Sequence, residues 1–355
     1  MRPLYDLVNS KLIQFGIFHE TLSIDESMTP YCGRHSCKVY LHNKPIRFGY
    51  KHFSICSADG YPYKTIPYPD KSFDKNKPQH LEAVTKLLDV VDDETRIDLY
   101  FDSFYASEAV MQYCTDNRIA ATGTFQANRI HVDNLMPVEE MNKKAIPRGH
   151  FDFANNGHLH ATRWKDSRVV NLVSNKYTHL PVGSATRYLK RSAKSETPSV
   201  DIALPHNFKM YNSGMGGVDL YDKLLGAYRP SLTSKKWYFN LISTCFNTAV
   251  VAAFKLYQAM HCKGSANSKS APFADHLKFR SNLVENLAVF GTREAKKATD
   301  LNKKIPIVTT HVLERKENGK RSKCVHCKKF TYFNCIGCAN TCCPDCLVTS
   351  HKMIS

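Results

Sequence analysis

Apolar and polar positions alternate along Thr21-Leu-Ser-Ile-Asp25, the first stretch of the chain that reads as a strand. Tyr50-Lys-His-Phe-Ser-Ile-Cys56 and Tyr61-Pro-Tyr-Lys-Thr-Ile66 read the same way. They are joined by Ser57-Ala-Asp-Gly60, a turn in which Gly60 can supply a positive φ. From Pro78 to Asp92 the period changes. Leu81, Val84, Leu87, Leu88 and Val91 fall on one helical face, with Pro78 at its start. Ile97-Asp-Leu-Tyr-Phe101 then predicts a strand ending at Asp102, followed by a helix near Phe104 to Asn117 and a strand from Ala120 to Thr124. Residues 125–208 are less regular: short strands at His160–Trp164 and Val169–Val173 alternate with polar loops, as expected of an insertion. Helical periodicity returns at Gly217–Tyr228 and Lys235–Met260. The second of these is apolar, but Asn240, Ser243, Thr244, Asn247 and Thr248 interrupt it, so a buried helix is predicted and not a membrane span.

The order β-β-β-α-β-α-β is that of the RNase H-like fold, an α/β arrangement whose first and fourth strands lie side by side in a mixed sheet. Asp25 and Asp102 are expected to leave those two strands, and sites in such sheets form at the carboxyl ends of strands. The expected organisation is a first core segment over 1–124, an insertion domain over 125–208 and a closing core block over 209–262. A helical and basic linker over 263–320 and a cysteine-rich module over 321–355 follow.

Charge narrows the partners. The 355 residues carry a formal net charge of +17, which attracts polyanions, nucleic acid first. Residues 293–329 hold twelve Lys or Arg against four Asp or Glu, a basic approach to the tail. Cysteine distribution speaks to the compartment. Cys32, Cys37, Cys56, Cys114, Cys245 and Cys262 are scattered, as buried reduced thiols are, while seven more lie between Cys324 and Cys346. No long apolar stretch opens the chain. A reducing compartment, cytosol or nucleus, is expected, and no membrane partner.

A third acidic block is Tyr211-Asn-Ser-Gly-Met-Gly-Gly-Val-Asp219-Leu-Tyr-Asp222. Gly216 and Gly217 allow close backbone approach, and Asp219 enters a helix at its positive end. Asp219 and Asp222, three apart, share a helix face. Converging carboxylates repel one another unless cations intervene. Two Mg²⁺ or Mn²⁺ ions suit such hard oxygen ligands and serve phosphodiester cleavage and strand transfer. In the tail, Cys324-x2-Cys327, Cys335-x2-Cys338, Cys342-x3-Cys346 and His351 supply seven soft ligands. Two Zn²⁺ sites need eight, and Cys343 or His326 could be the last.

Ser23-Ile-Asp25-Glu-Ser-Met-Thr-Pro-Tyr-Cys-Gly-Arg34 with Asn43-Lys-Pro-Ile-Arg-Phe-Gly49 resembles the first catalytic block of piggyBac-like transposases. Phe101-Asp102-Ser-Phe-Tyr-Ala-Ser107 resembles the second block, and Gly123-Thr-Phe-Gln-Ala-Asn-Arg129 the strand beyond it. Tyr211 to Asp222, with Lys235-Lys-Trp237, is similar to the third. The resemblance covers nearly the whole chain. It implies that Asp25, Asp102 and Asp219 form the metal-binding triad, with Asp222 an accessory carboxylate. It also implies an inserted domain before the third aspartate and a C-terminal cross-brace zinc module that binds terminal inverted repeats. The expected partners are double-stranded DNA, with insertion at TTAA targets by a homodimer in the nucleus. The family's substantial N-terminal region is represented by only 24 residues ahead of Asp25, consistent with a truncated element, a fragmentary gene or a host gene derived from a transposon. Two readings stay open: an active transposase core, and a domesticated DNA-binding protein that no longer transposes. Trp164 and Trp237 are expected to pack, whereas Arg34, Lys44, Arg47 and Arg129 are candidates for phosphate contact.

Overall fold

The computed structural model describes residues 1–42, 44–69, 73–74, 76–92, 95–188, 199–230, 234, 236–262, 275–299, 313–316, 321–325, 327–335, 340–344 and 346. Two compact units, Met1–Asn282 and Leu283–Ser355, divide the chain. The first begins with helix α1 (Arg2–Leu12), then strands β1 (Thr21–Pro30), β2 (Val39–Tyr40), β3 (Phe48–Ser57) and β4 (Pro62–Pro67). Helix α2 (Gln79–Leu88), β5 (Asp98–Phe101), α3 (Glu108–Asp116) and β6 (Ala120–Thr124) follow. Next come α4 (Val138–Met141), β7 (Phe151–Asn155), β8 (His160–Lys165), β9 (Val169–Ser174), β10 (Gly183–Tyr188) and β11 (Ser199–Leu204). Helices α5 (His206–Gly214), α6 (Gly217–Ala227), α7 (Phe239–Cys262) and α8 (His276–Thr299) complete the helical part.

The main sheet runs β2-β3-β1-β5-β6-β9-β8-β7, with β4 also paired to β3. β1, β5 and β6 are parallel neighbours and the remaining pairs are antiparallel, which makes the sheet mixed. Strands β7, β8 and β9, within the segment expected as an insertion, thus extend the edge of the same sheet, and β10 and β11 pair only with each other. Central strand β1 is buried on both faces because helices cover both. On one face Leu22, Ile24, Phe53, Ile55, Leu99 and Phe101 pack with Ala83, Val84 and Leu87 of α2 and Val110 and Met111 of α3. Each such aliphatic side chain contributes about 1.5–3 kcal/mol when fully buried. Ser107 caps α3 by accepting from Val110 N at 3.3 Å.

On the other face the helices press against the strands, backbone to sheet. A Cβ at Gly217 would stand 2.2 Å from the Ser57 carbonyl oxygen and 2.6 Å from Ser23 Oγ, so only glycine brings the start of α6 this close. Gly214, ending α5, faces Tyr100 as tightly, at 2.4 Å. Gly216 was expected to share this role, but it has nothing within 4 Å. The length and composition of α7 would suffice to cross a membrane over Phe239–Met260. It packs instead beside α1, α6 and β1, burying Leu241, Cys245, Val251, Ala252 and Phe254. Its polar residues have partners there: Thr244 Oγ1 accepts from Thr29 Oγ1 at 3.1 Å, and Asn247 donates to Leu225 O at 2.9 Å.

Two expectations change. Asp25 does not end the first strand. β1 runs on to Pro30 because its antiparallel partner β3 pairs with it as far as Pro30↔Gly49. The stretch Tyr211–Gly214, ahead of the helical periodicity expected from Gly217, is itself helical and belongs to α5. The second unit holds short pieces, β12 (Leu313–Arg315) paired with β15 (Phe333–Cys335), and β13 (Ser322–Lys323) paired with β14 (Phe330–Thr331).

One buried histidine ties α1 to the sheet. Tyr5 Oη lies 2.7 Å from His52 Nε2, and burial lowers the His52 pKa from 6.5 to about 4. The unfolded chain therefore takes up this proton first. The contribution of His52 is complete above pH 6.5 and is lost as pH falls toward 4, by up to about 3 kcal/mol. Urea unfolding of the wild type and of His52→Gln should show a stability gap that narrows between pH 7.5 and about pH 5. A gap that does not change with pH would mean that folding does not lower the His52 pKa.

Candidate active site

Register places the first two carboxylates. The parallel pairing of β1 with β5 ends at Ile24↔Phe101, so the next residues, Asp25 and Asp102, stand side by side. Carboxylate oxygens of Asp25, Glu26 and Asp102 lie within 4.8 Å of one another. Local hydrogen bonds set their orientation. Asp25 Oδ1 accepts from Glu26 N at 2.7 Å, and Asp102 Oδ1 accepts from Phe104 N at 2.9 Å. Arg129 donates to the carbonyls of Ser103 and Phe104, bracing the turn that carries Asp102. Its observed role is therefore internal, although it was a candidate for phosphate contact.

The third carboxylate arrives on α6. Gly217 seats the helix on Ser23 and Ser57, and Asp219 lies in its first turn. Lys44 joins it to the strand. The Lys44 ammonium donates to Asp25 Oδ2 at 2.7 Å and stands 3.6 Å from Asp219 Oδ1. The two carboxylates are thus no further apart than those two contacts laid end to end. The Asp219 side chain is 74% exposed, against 10% for Asp25. Asp222 follows one turn later. Its Oδ1 is buried and has no hydrogen-bond partner.

The electrostatics follow from crowding and burial. At an effective dielectric near 20, two carboxylates at about 4–5 Å repel by on the order of 3–4 kcal/mol. Burial pushes the Asp25 carboxyl up to about 6, partly opposed by Lys44. Burial pushes Asp222 up to about 7, with Asp219 and Asp25 adding repulsion and Lys44 and Arg229 opposing it. Asp102 is raised by burial and then by Asp25. Hard oxygen donors, mutual repulsion and an orphaned buried oxygen on Asp222 fit divalent cations such as Mg²⁺ or Mn²⁺.

Glu26 was not singled out in the sequence. Strand alternation would send it to the face opposite Asp25, yet its carboxylate comes within 4.8 Å of those of Asp25 and Asp102, and Lys51 donates to its Oε1 at 3.1 Å. An ion pair with both side chains 11% exposed is what the adjacent Asp-Glu doublet could have signalled. Of the other cations, Arg34 and Arg47 are exposed and Lys235 lies outside the described residues. Trp164 is buried and donates to Ala203 O at 2.8 Å, while Trp237 stacks on His35 with ring centroids 4.4 Å apart. Both tryptophans make packing contacts, in line with expectation.

In the second unit the Sγ atoms of Cys324, Cys327, Cys343 and Cys346 lie within 4.8 Å of one another. The hairpin of β13 and β14 supports the first pair: Cys324 N donates to Lys329 O at 2.8 Å, and Lys328 takes φ 61° to close the turn. Cys327 and Cys343 sulfurs are 3.6 Å apart. Four thiols at this spacing could hold a soft metal ion. Cys343, one of two alternatives from the sequence, is in the set. Cys342, expected as a ligand, is buried outside it, its thiol directed at Cys343 O. Cys335 lies on β15 with its side chain undescribed, and Cys338, His326 and His351 lie outside the described residues.

A mixed sheet that sets two aspartates side by side, with a helix adding two more, is the layout of a DDE-type transposase. A family model described as Transposase IS4 matches residues 1–254, and the chain belongs to that family, in its piggyBac type. It is 27% identical over 364 residues to human PiggyBac transposable element-derived protein 3, covering 99% of this chain and 58% of that protein. It is 28% identical over 269 residues to human PiggyBac transposable element-derived protein 2, covering 73% of this chain and 44% of that protein. The chain thus spans about half the length of these curated relatives. Among solved structures, a piggyBac transposase synaptic complex with hairpin DNA matches with TM-score 0.66 and 20% identity, over 97% of this chain and 71% of that one.

The thiol set makes a divided expectation. Cys343→Ser should lower the transition-metal content of the purified full chain, read by elemental mass spectrometry, whereas Cys32→Ser, at an exposed thiol outside the second unit, should leave it unchanged. Equal loss in both variants would mean that the ligand set is not the one the geometry defines.

Proposed function

We propose that this chain is the catalytic region of a piggyBac-like DNA transposase that cleaves and joins phosphodiesters at TTAA targets. The observation that carries the reading is the meeting of Asp25, Asp102 and Asp219, two at adjacent strand positions and the third within reach of the same lysine ammonium. The strand order β4-β3-β1-β5-β6 supports an RNase H-like core. Residues 125–208 then form the insertion ahead of the third aspartate, built onto the free edge of β6.

Asp25, Asp102 and Asp219 would hold two divalent cations, with Asp222 as the accessory carboxylate. Bound there, the cations polarise the scissile phosphate and lower the pKa of an attacking water or 3′-hydroxyl. The residues themselves supply position. The β1–β5 register fixes Asp25 against Asp102, the Arg129-braced turn orients Asp102, and the Gly217 contact sets how far α6 can bring Asp219. Exposure of Asp219 leaves one side of the site open to a duplex. The net charge of +17 supplies the attraction for double-stranded DNA, including terminal inverted repeats, and the thiol set would hold structural Zn²⁺. Action as a homodimer on DNA, in the nucleus, completes the proposal.

The second reading is a transposon-derived DNA-binding protein without transposition. Its support is that the curated relatives are themselves named as element-derived proteins. Asp219→Asn decides between the two. It keeps the shape of the side chain and removes the charge. Mn²⁺-dependent nicking of DNA carrying the element ends should fall at least ~100-fold while DNA affinity holds. A wild type that cleaves no faster than Asp219→Asn would leave only the binding reading.

A further inference from the structure

Lys44 sits where a cation is needed, and its partners are the carboxylates themselves. Its side chain is 20% exposed, although a lysine at the tip of a loop is ordinarily solvated. The loop between β2 and β3 is pinned by the bond from Leu41 N to Arg47 O at 2.9 Å. From there the ammonium reaches Asp25 Oδ2 at 2.7 Å and Asp219 Oδ1 at 3.6 Å. The other basic groups near the site are engaged elsewhere: Lys51 with Glu26, Arg129 with the Ser103 and Phe104 carbonyls. Arg229 bears on Asp222. Lys44 alone among the described residues bridges the strand carboxylate to the helix carboxylate.

We propose that Lys44 is an internal counter-cation that holds the space between Asp25 and Asp219 in the metal-free protein and yields it when divalent ions load. The proposal rests on the reading of Asp25 and Asp219 as metal ligands. A +1 ammonium on a four-carbon tether neutralises part of the carboxylate charge and keeps α6 drawn toward β1 without a metal. A divalent ion at the same oxygens would repel the ammonium, because the two cations would stand only a few ångströms apart. Lys44 therefore raises the metal concentration at which the site fills. Once displaced, a lysine ammonium needs a new acceptor, and the non-bridging oxygens of a DNA phosphodiester are of the right chemistry. DNA would thus ease metal loading by taking the lysine.

The test uses the full chain and a readout independent of cleavage. Mn²⁺ binding is followed by electron paramagnetic resonance of free Mn²⁺, alongside thermal unfolding in EDTA and in saturating Mn²⁺. Lys44→Gln removes the charge and keeps an unbranched, hydrogen-bonding side chain slightly shorter than lysine. It should bind Mn²⁺ about tenfold more tightly than the wild type, because one competing unit charge is gone. It should also melt earlier in EDTA, with the gap closing in Mn²⁺. Lys44→Arg keeps the charge and should bind no more tightly than the wild type. Should Lys44→Gln fail to fold in EDTA but fold in Mn²⁺, the counter-cation role would stand in its strongest form. If the wild type binds Mn²⁺ and Lys44→Gln binds it equally or more weakly, Lys44 is not a competitor and the proposal falls. If neither binds Mn²⁺, the metal reading of the carboxylates falls first and takes this proposal with it.

Discussion

Repulsion among buried carboxylates is the constraint around which the first unit is organised. A fold gains nothing from placing Asp25 and Asp102 at adjacent positions of neighbouring strands and then drawing Asp219 and Asp222 toward them. The hydrophobic face of the same strands supplies the compensation: Leu22, Ile24, Leu99 and Phe101 are buried against α2 and α3, one residue out of phase with the acids. Period-two alternation thus lets one short stretch of strand anchor the core and carry the charge. Shifting β1 by one residue against β5 would turn its acids toward α2 and α3 and its aliphatics toward α5 and α6, so the site and the core share a single register.

The helix side obeys a distance constraint of its own. Asp219 can meet the strand acids only if α6 starts almost on top of β1 and β3, and the absent side chain of Gly217 makes that approach possible. Val218, Tyr221 and Leu225 then hold the helix through a small separate cluster with Cys56 and Val251. Tyr221 Oη lies 2.6 Å from Thr248 Oγ1, so α7 fixes α6 laterally. The strand acids belong to the sheet and the helix acids to this second cluster. Between them stands Lys44, on a loop that belongs to neither.

Much of this arrangement could be read from the residues. Strands near 50–56, 61–66, 97–101 and 120–124 and the helix near 78–92 correspond to β3, β4, β5, β6 and α2, since their patterns are local and their breakers strong. Asp102, Asp219 and the Gly60 turn, with φ 90°, were legible for the same reason. Where expectation and structure part, the cause is non-local. The continuation of β1 past Asp25 is set by pairing with β3, whose partner residues lie 19 to 27 positions further along the chain. The helix through Tyr211-Asn-Ser-Gly214 forms against its propensities, because packing on Tyr100 outweighs the cost of about 1 kcal/mol for glycine. Lys44 reads in sequence as one of four candidates for phosphate contact, with nothing to mark it as a partner of the aspartates. Only the closing of its loop over the sheet turns it inward. In the tail the spacing identified candidate cysteine ligands as a class and left Cys343 and His326 open as the eighth; the turn geometry, with Cys343 N donating to Cys324 Sγ at 3.5 Å, is what sets Cys343 beside Cys324.

The difference in exposure between Asp25 and Asp219 gives the site a direction. A ligand buried in a strand and ordered by backbone hydrogen bonds is pre-organised and costs little entropy to hold in place. An exposed carboxylate on the first turn of a helix can shift by small movements of that helix and faces solvent. Geometry around the strand pair is therefore fixed by the fold, and geometry around Asp219 is set by how α6 sits on the sheet. The orphaned Asp222 oxygen lies on the same helix, so whatever draws α6 inward also brings that buried acceptor toward the charge it lacks. Rigid acids on the sheet and adjustable acids on the helix thus divide the work of the site. The Gly217 contact limits how far the adjustable half can travel.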